Sequence, residues 1–362
     1  MNTKEKLRVG VLGCGGFSAS FVQLFKEHPY VEKVAVADLE MSRAKAFGEK
    51  FGVEYYRTLD ELLETDVNCI AIFTPRHTHG PLVIQSLKAG RHVYSAVPMA
   101  SEISHCEEIV RLVKETHLTY MMGETCYYYP DAIYCRQKYA EGAFGKFVYG
   151  EAQYYHDISE MYGDFKRSGG EHWQRPAGIP PMFYPTHSIS MLFSSINEYA
   201  TKVSCLGLRD DFHTDEIYGE GKNYWDNPFS NTSMLMKLSN DAVVRISENR
   251  RIAWGVPETY ISNFHGTKAS YECSLIHHSY IKIGEDGPEY EDVSDLLNPI
   301  ELTKHKNEEN FVEKAVQGNW ASGEAPIQIF DRVPEELQSL LTDHGGTHQF
   351  MVDDFCKAAA FS

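Results

Sequence analysis

Basic residues are scarce in this chain of 362 residues, which has 34 Lys and Arg against 51 Asp and Glu and a formal net charge of -17. Nucleic acids and anionic membranes are bound through basic surfaces, so the charge balance argues against both as partners. The charge balance gives no information about a small neutral ligand. No apolar run approaches the ~18 residues of a membrane span, and the first residues lead into the first predicted strand without an apolar leader.

Paired cysteines are also missing. The eight cysteines are scattered and form no CxxC pair, the spacing typical of metal and redox motifs. We therefore expect reduced, buried thiols and a cytoplasmic protein. The chain has no internal repeat and no low-complexity segment. Its length is more than one compact core usually takes, so we expect two domains.

The N-terminal region begins with a strand, a glycine-rich turn and a helix. The apolar strand at 7–12 runs into GCGGFS at 13–18, and a helical pattern follows. A second apolar run, at 31–37, ends on Asp38. This order of parts is the one that a bound dinucleotide requires.

The individual residues of this turn have separate roles in such a site. Gly13 permits the tight turn, and Gly15 lets the backbone approach a pyrophosphate at the helix N-terminus. Asp38 is placed to accept hydrogen bonds from ribose hydroxyls. Ser18 stands where a third glycine is usual. We favour a dinucleotide site over a merely structural strand–helix–strand unit.

Two different patterns divide the chain. Short apolar strands alternate with amphipathic helices up to about Met122, which predicts a Rossmann domain with a doubly wound parallel sheet over 1–125. From Lys146 on, strand-like runs follow one another, which predicts an α+β domain with a large, mainly antiparallel open sheet over 126–362. Within it, 163–185 is expected to be a long functional loop, and 347–360 an amphipathic helix.

Several short segments match one known family. They are GCGGFS at 13–18, Asp38 with Arg43, TPRHTH at 74–79, AGRHVY at 89–94 with Pro98 beyond it, EGAFGK at 141–146, and His187 in a Pro-Thr-His-Ser turn. With these motifs the chain resembles the Gfo/Idh/MocA family of NAD(P)-dependent sugar and cyclitol oxidoreductases over nearly its whole length.

The resemblance implies a cofactor, a substrate class and an assembly. It implies a carbohydrate pocket against the open sheet of the second domain, and homo-oligomers formed through that sheet. Family chains usually continue beyond the helix at 347–360, so the resemblance also suggests that this chain is truncated. NAD would lie across the carboxyl ends of the parallel strands, held by Gly13, Gly15, Gly16, Phe17, Asp38, Arg43, Thr74, Pro75, His79 and Pro98.

The chain departs from the family at the residues that usually move protons. Family members carry Glu-Lys-Pro after the strand at 91–94, and here Val97 takes the place of the lysine. Phe183 and Ser190 stand where acids are usual, and only His187 remains of that set. Acid–base help is worth ~10²–10⁴ in rate, so either another group supplies it or the reaction differs.

Ionisable groups are dense between 151 and 187. We expect His187, Tyr184 and His156 to replace the missing acid–base set. Glu151, His156, His172 and His187 are candidate ligands of a divalent metal, which would polarise a carbonyl and acidify a neighbouring C–H. Their spacing matches no named metal motif, so ordinary buried histidines are the alternative.

Three functions fit these observations. The first is an NAD-linked oxidoreductase acting on a sugar, glycoside or cyclitol hydroxyl. The second is a lyase or glycosidase that acts on glycosides or keto-glycosides with bound NAD or a divalent metal. The third is a cofactor-binding regulator without catalysis, which the crowd of ionisable groups makes the least favoured. The missing lysine favours the second, and the intact glycine turn favours the first.

Overall fold

The computed structural model describes residues 6–180, 182, 184–211, 216–253, 259–318, 320, 323–340 and 344–362. The chain divides into two compact units. One comprises Met1–Glu124 with Phe330–Ser362, and the other comprises Thr125–Ile329. Among the described helices, none has the length and apolar character needed to cross a membrane.

The first unit is built on a parallel six-stranded sheet in the order β3-β2-β1-β4-β5-β6. Its strands are β1 (Leu7–Leu12), β2 (Val31–Ala37), β3 (Glu54–Tyr56), β4 (Cys69–Ile72), β5 (His92–Ala96) and β6 (Tyr120–Gly123). The helices between them are α1 (Gly16–Glu27), α2 (Met41–Phe51), α3 (Leu59–Leu63), α4 (His79–Lys88) and α5 (Ile103–Thr116). The predicted Rossmann domain is confirmed.

The strand order of this sheet determines where a ligand can bind. The chain runs outward from β1 through β2 to β3 and then returns to place β4 on the other side of β1. At such a reversal the loops beyond two neighbouring strands diverge and leave a crevice at their carboxyl ends. The glycine turn at 13–16 lies at that point.

The second unit is built on an eight-stranded sheet in the order β14-β13-β12-β11-β7-β10-β9-β8. Its strands are β7 (Phe147–Tyr155), β8 (Ala200–Arg209), β9 (Phe229–Leu238), β10 (Val243–Asn249), β11 (Thr259–Gly266), β12 (Ala269–Ser274), β13 (His277–Gly284) and β14 (Gly287–Asp292). β7 and β10 pair in parallel, and the other neighbouring strands pair antiparallel. The predicted open, mainly antiparallel sheet is confirmed.

Helices cover one face of this sheet. The core contains residues of three of them, Tyr134, Leu192 and Leu297 among them, packed with Phe264 and Val244 of the strands. The helices of the unit are α6 (Pro130–Ala140), α7 (Tyr162–Gly169), α8 (Gln174–Ala177), α9 (Thr186–Phe193), α10 (Ser294–Leu297), α11 (Ile300–Lys304) and α12 (Phe311–Val316).

The prediction of a long loop at 163–185 was wrong. The described part of that segment contains α7 and α8, which bury Trp173 against Tyr162 and Ile217 in a small separate core. Glycine and proline are frequent in this segment and favour a loop locally. Tertiary burial of the aromatic residues outweighs that preference, because helices shorter than ~12 residues depend on packing rather than on propensity.

The expected boundary of the second domain was wrong at its C-terminal end. The segment Phe330–Ser362, with α13 (Glu335–Gln338) and α14 (Thr347–Ala360), belongs to the first unit. The Phe355 ring lies 5.8 Å from that of Tyr94 on β5, and the Tyr94 hydroxyl donates to the Met351 sulfur at 3.6 Å. The amphipathic pattern predicts the helix correctly, but it carries no information on which domain the helix covers.

A buried polar chain fastens α14 to the first unit. The backbone N–H of Tyr30 donates to His28 Nδ1 at 3.1 Å, which leaves Nε2 to donate to Asp353 Oδ1 at 3.3 Å. Lys357 Nζ donates to the other carboxylate oxygen at 2.6 Å. Burial opposes ionisation of Asp353, but the bonds from His28 and Lys357 outweigh it and hold its pKa below the ordinary value.

We expect Asp353→Ala to lower the free energy of unfolding by about 2–3 kcal/mol, because it leaves the buried His28 N–H without an acceptor. Asp354→Ala is the matched control. Asp354 pairs with Arg332 at the surface, and loss of such a pair costs less than about 1 kcal/mol. Urea denaturation followed by circular dichroism measures both. Equal losses in the two variants would contradict this role of Asp353.

The contribution of Asp353 also depends on pH in a defined direction. Because its pKa is lower in the folded state, its stabilisation is complete above the unfolded-state value of ~4 and is lost as pH falls through the folded-state value. The difference in unfolding free energy between the wild type and Asp353→Ala should therefore be constant near neutral pH and shrink in acid.

Candidate functional site

The glycine turn of the first unit leaves an open surface above the start of α1. Gly13 has φ +99°, and a methyl group there would lie 2.8 Å from the Phe73 carbonyl oxygen, so this position requires glycine. No heavy atom lies within 4 Å of a methyl group placed on Gly15 or Gly16. The N-terminus of α1 has no side-chain cap, and its N–H groups are those that bind a pyrophosphate in other proteins.

Two backbone N–H groups orient the Asp38 carboxylate, one at each oxygen. Its Oδ2 accepts the N–H of Cys14 at 2.8 Å, and its Oδ1 accepts the N–H of Glu40 at 2.8 Å. Burial raises the pKa of the Cys14 thiol to about 12, and the charge of Asp38 adds to this effect. The thiol therefore stays protonated near neutral pH. Cys14 is a packing residue of the turn rather than a nucleophile.

His79 joins the two loops that follow β4 and β5. Its Nε2 lies 2.8 Å from the carbonyl oxygen of Thr74, and its Nδ1 lies 2.8 Å from that of Pro98. Burial lowers the pKa of His79, and the two carbonyl contacts oppose that shift. Pro75 follows Thr74 in the same loop, so the imidazole sets the spacing of both segments.

The other two predicted cofactor residues border the same edge. Phe17 is 45% exposed, and its ring meets that of His348 edge-on at 5.3 Å. Arg43 lies in the first turn of α2, after Asp38. The ten predicted residues thus surround the carboxyl ends of β1, β2, β4 and β5. The bare glycine surface, the uncapped helix and the oriented acid together fit a dinucleotide.

His187 is the centre of an aromatic cluster in the second unit. It is the second residue of α9, as the sequence predicts, and it is 6% exposed. Three tyrosine rings meet it nearly at right angles: Tyr184 at 5.3 Å, Tyr154 at 5.4 Å and Tyr260 at 5.5 Å between ring centroids. We call His187 and these tyrosines the His187 cluster.

His156 belongs to a hydrogen-bonded chain beside this cluster. The Tyr154 hydroxyl lies 2.8 Å from His156 Nδ1, and His156 Nε2 lies 2.7 Å from Glu160 Oε1. Because the carboxylate only accepts, we assign the ring proton to Nε2, and the tyrosine donates to Nδ1. This arrangement can pass a proton between the Tyr154 hydroxyl and the half-exposed Glu160.

Arg250 and Glu248 lie on the same face of the sheet as Tyr154. The Arg250 side chain donates from Nε to Glu248 Oε1 at 2.8 Å, and both residues are buried. Its guanidinium carbon lies 4.3 Å from the Tyr154 ring centroid and 4.7 Å from that of Tyr184. The neighbouring Arg251 instead pairs with Asp157 at 2.8 Å.

The four predicted metal ligands are not brought together. Glu151 lies on the opposite face of β7 from His156 and bonds to Arg245 and Tyr149, which hold its pKa below the ordinary value although burial opposes them. His172 is exposed in the turn before Trp173. His156 has both ring nitrogens engaged. This set does not form one metal site.

Sequence reasoning missed Tyr260 and left Arg250 without a role. The alternation along β7 and β11 was the usable signal, since Tyr154 and Tyr260 pair directly across these strands and stack at 4.6 Å. Val97, where the family has lysine, is buried and offers no ionisable atom. Phe183, at the usual aspartate position, lies outside the described residues.

Comparison with curated proteins finds distant relatives. A protein named glycosyl hydrolase family 109 protein 2, from Shewanella sp. (strain ANA-3), is 27% identical over 224 residues, which are 56% of this chain and 49% of that protein. A glycosyl hydrolase family 109 protein from Shewanella amazonensis is 28% identical over 205 residues, 53% of this chain and 45% of that protein. The chain thus spans about half the length of the curated relatives it matches.

Solved structures share the fold along nearly the whole chain. A levoglucosan dehydrogenase in complex with NADH aligns with a TM-score of 0.71 and 17% identity, over 98% of this chain and 90% of the other. An oxidoreductase from Agrobacterium radiobacter in complex with NAD+, L-tartaric acid and magnesium aligns with a TM-score of 0.65 and 16% identity, over 98% and 96%.

A family model matches most of the first unit. Residues 7–124 match the model described as oxidoreductase family, NAD-binding Rossmann fold, of the Gfo/Idh/MocA group. The match covers β1 through β6, and it includes the glycine turn, Asp38 and the loops joined by His79. Over these residues, about a third of the chain, the protein is therefore similar to the NAD-binding Rossmann domain of the Gfo/Idh/MocA oxidoreductases.

Proposed function

We propose that this protein is an NAD-linked oxidoreductase that acts on a hydroxyl group of a sugar, glycoside or cyclitol. The observation that carries the proposal is the His187 cluster, a buried imidazole enclosed by three tyrosines. Tyrosine faces stack on sugar rings, and their hydroxyls bond to sugar hydroxyls. The cluster occurs on a chain whose N-terminal domain is an NAD-binding one.

The first unit supplies the cofactor residues of this proposal. Bound NAD+ supplies the hydride acceptor in such a reaction. The role of the chain is to hold it, with the N–H groups of α1 on the pyrophosphate and the Asp38 carboxylate on the ribose hydroxyls. Asp38 is already oriented by Cys14 and Glu40, so binding requires little rearrangement of that side chain.

The second unit supplies the acid–base residues. Oxidation of an alcohol releases the hydroxyl proton, and Val97 cannot accept it. We propose that His187 accepts this proton, with Tyr184 beside it orienting the substrate hydroxyl. The Tyr154–His156–Glu160 chain is a second route, since it leads from a buried hydroxyl to a half-exposed carboxylate. Together these groups replace the usual lysine.

The second candidate function is a glycosidase or lyase that works by elimination. The absence of the lysine favours it, and so do the curated relatives, which are named as glycosyl hydrolases. In that reaction a keto group acidifies the neighbouring C–H, a base removes the proton and the glycosidic substituent leaves. The first candidate is supported by a structural neighbour with the same fold, which is named as a dehydrogenase of levoglucosan.

A homo-oligomer formed through the second unit remains part of the proposal. Apolar side chains are exposed on three adjacent strands of its sheet, and Leu206 on the edge strand β8 is 81% exposed. Exposed apolar groups on an unpaired edge strand favour association with another sheet. The other exposed apolar residues of these strands are Val203, Leu208, Leu235 and Val243.

Asp38 should make the protein select NAD over NADP, because a carboxylate at the ribose repels a 2′-phosphate. We expect Asp38→Ala to weaken NAD+ binding by about tenfold, through loss of charge-assisted hydrogen bonds. Glu40 is exposed and lies two residues after Asp38. Glu40→Gln is therefore the matched control and should bind NAD+ normally. Titration calorimetry with both cofactors tests this. Equal or tighter binding of NADP+ to the wild type would refute the assignment.

His187→Ala should lose turnover while it keeps NAD+ affinity, since the residue belongs to the second unit. Loss of a proton acceptor lowers kcat by ~10²–10⁴. His277→Ala, at an exposed position of β13, is the control and should leave kcat unchanged. Steady-state kinetics and NAD+ titration measure the two effects. Activity of His187→Ala within about twofold of the wild type would show that this histidine is structural.

The two candidate functions differ in net redox change. The oxidoreductase accumulates NADH from an unoxidised sugar and is insensitive to chelator, whereas elimination from a keto-glycoside leaves the NADH absorbance unchanged. Val97→Lys sharpens the distinction. If the reaction is hydride transfer, this lysine restores a group that the family uses. If the reaction is elimination, the buried ammonium opposes a metal and carries a desolvation penalty of about several kcal/mol. Chelator-sensitive turnover without NADH would favour the second candidate.

A further inference from the structure

Only part of the hydrogen-bonding capacity of the Arg250 guanidinium is used by the described residues. It is buried, with the residue 5% exposed, yet its one side-chain hydrogen bond in the described part of the chain runs from Nε to Glu248. The two terminal nitrogens, which form the planar end of the fork, have no hydrogen-bond partner among the described residues. These two nitrogens are not among the fully enclosed unpartnered side-chain atoms, and arginine carries five donors that are never lost by deprotonation, so the end of the fork stays available to a ligand.

Two tyrosine rings and the backbone contacts of Asn231 hold Arg250 in place. Tyr154 and Tyr184 lie over the guanidinium, with ring centroids 4.3 and 4.7 Å from its central carbon. Asn231 accepts the backbone N–H groups of Arg250 at 2.9 Å and of Arg251 at 3.0 Å, which holds the backbone at this bend. A side chain held in this way gives a defined direction to any partner of its terminal nitrogens.

Neutralisation of Glu248 does not account for this arrangement. An arginine that serves only to neutralise a carboxylate commonly engages it with two parallel N–H bonds. Here the contact is a single bond through Nε, and the paired donors are left over. Glu248 also compensates the charge of the arginine inside the protein, so the pair is formally neutral when no ligand is bound.

We propose that Arg250 forms a carboxylate subsite beside the His187 cluster, and that the preferred substrates are sugar acids, such as uronic or aldonic acids. The inference rests on the proposed function and narrows its substrate class. Tyr154 and Tyr184 each contact both Arg250 and His187, so the fork and the imidazole border the same two rings. The planar fork matches a planar carboxylate bidentately.

The charge balance favours a carboxylate over a phosphate. The carboxylate brings one negative charge to a pair that is formally neutral. A phosphate monoester brings nearly two at neutral pH, and the second meets the buried Glu248 without a cation of its own. Asp157 and Glu160 add negative charge at the same end of the sheet, and only Asp157 has an arginine partner in the described residues.

Binding to the full-length protein saturated with NAD+ tests the subsite. The probes are D-glucuronate, D-galacturonate and D-gluconate, their neutral counterparts D-glucose and D-galactose, and D-glucose 6-phosphate, all at one ionic strength in a calorimeter. We expect at least one acid to bind about tenfold or more tightly than its neutral counterpart and than the phosphate. Equal binding of acids and neutral sugars, or no binding of any acid, overturns the proposal.

Variants separate the subsite from general folding effects. Arg250→Lys keeps the charge and loses the fork, and it should remove most of the preference for acids while neutral sugars bind as before. Arg250→Met with Glu248→Gln removes both charges and avoids leaving a buried carboxylate alone. Melting temperature and NAD+ affinity show that each variant is folded. If the double variant keeps the preference for acids, the assignment is wrong.

The outcome is distinguishable from failure of the proposed function. Arginine-dependent binding of an acid without NADH formation supports the subsite and counts against the oxidoreductase. NADH formation from neutral sugars at a rate insensitive to Arg250→Lys supports the oxidoreductase and overturns the subsite. Tighter binding of D-glucose 6-phosphate than of any acid shows that the occupant is a phosphate, which also overturns the proposal.

Discussion

The alternation of side chains along β7 is the constraint on which the second unit depends. β7 lies in the interior of the sheet, paired in parallel with β10 and antiparallel with β11. With neighbours on both sides its register cannot slip, because a shift by one residue would turn every side chain to the other face. Tyr154 and His156 therefore lie on the helix-covered face, and Glu151 lies on the other, with Arg245.

The same pairing assembles the candidate site from distant parts of the chain. Glu248 stands opposite Tyr154 on β10, Tyr260 stands opposite it on β11, and α9 places His187 over them. β7, α9 and the consecutive strands β10 and β11 come from three separate parts of the sequence. Ring contacts join Tyr154, Tyr260 and His187, and an ion pair joins Glu248 to Arg250.

Both local and long-range interactions determine the structure of the first unit. The turn at Gly13 depends on local backbone geometry, because its φ of +99° favours glycine. The closing helix α14 is held by contacts over 300 residues apart in sequence, among them His28 with Asp353. No short sequence window contains both members of this buried hydrogen bond. An amphipathic helix fits many apolar surfaces, so its pattern alone could not assign it to this unit.

The amino-acid sequence by itself determined the two kinds of sheet, most strand and helix positions, the glycine turn with Asp38, and His187 at the start of a helix, because these depend on periodicity and on backbone geometry within a few residues. Only the tertiary structure decided that 163–185 folds as helices around Trp173 and that Glu151 and His172 lie apart from His156. It also decided that Arg250 points inward. Those outcomes depend on strand pairing and burial between residues far apart in the chain, which no local pattern encodes.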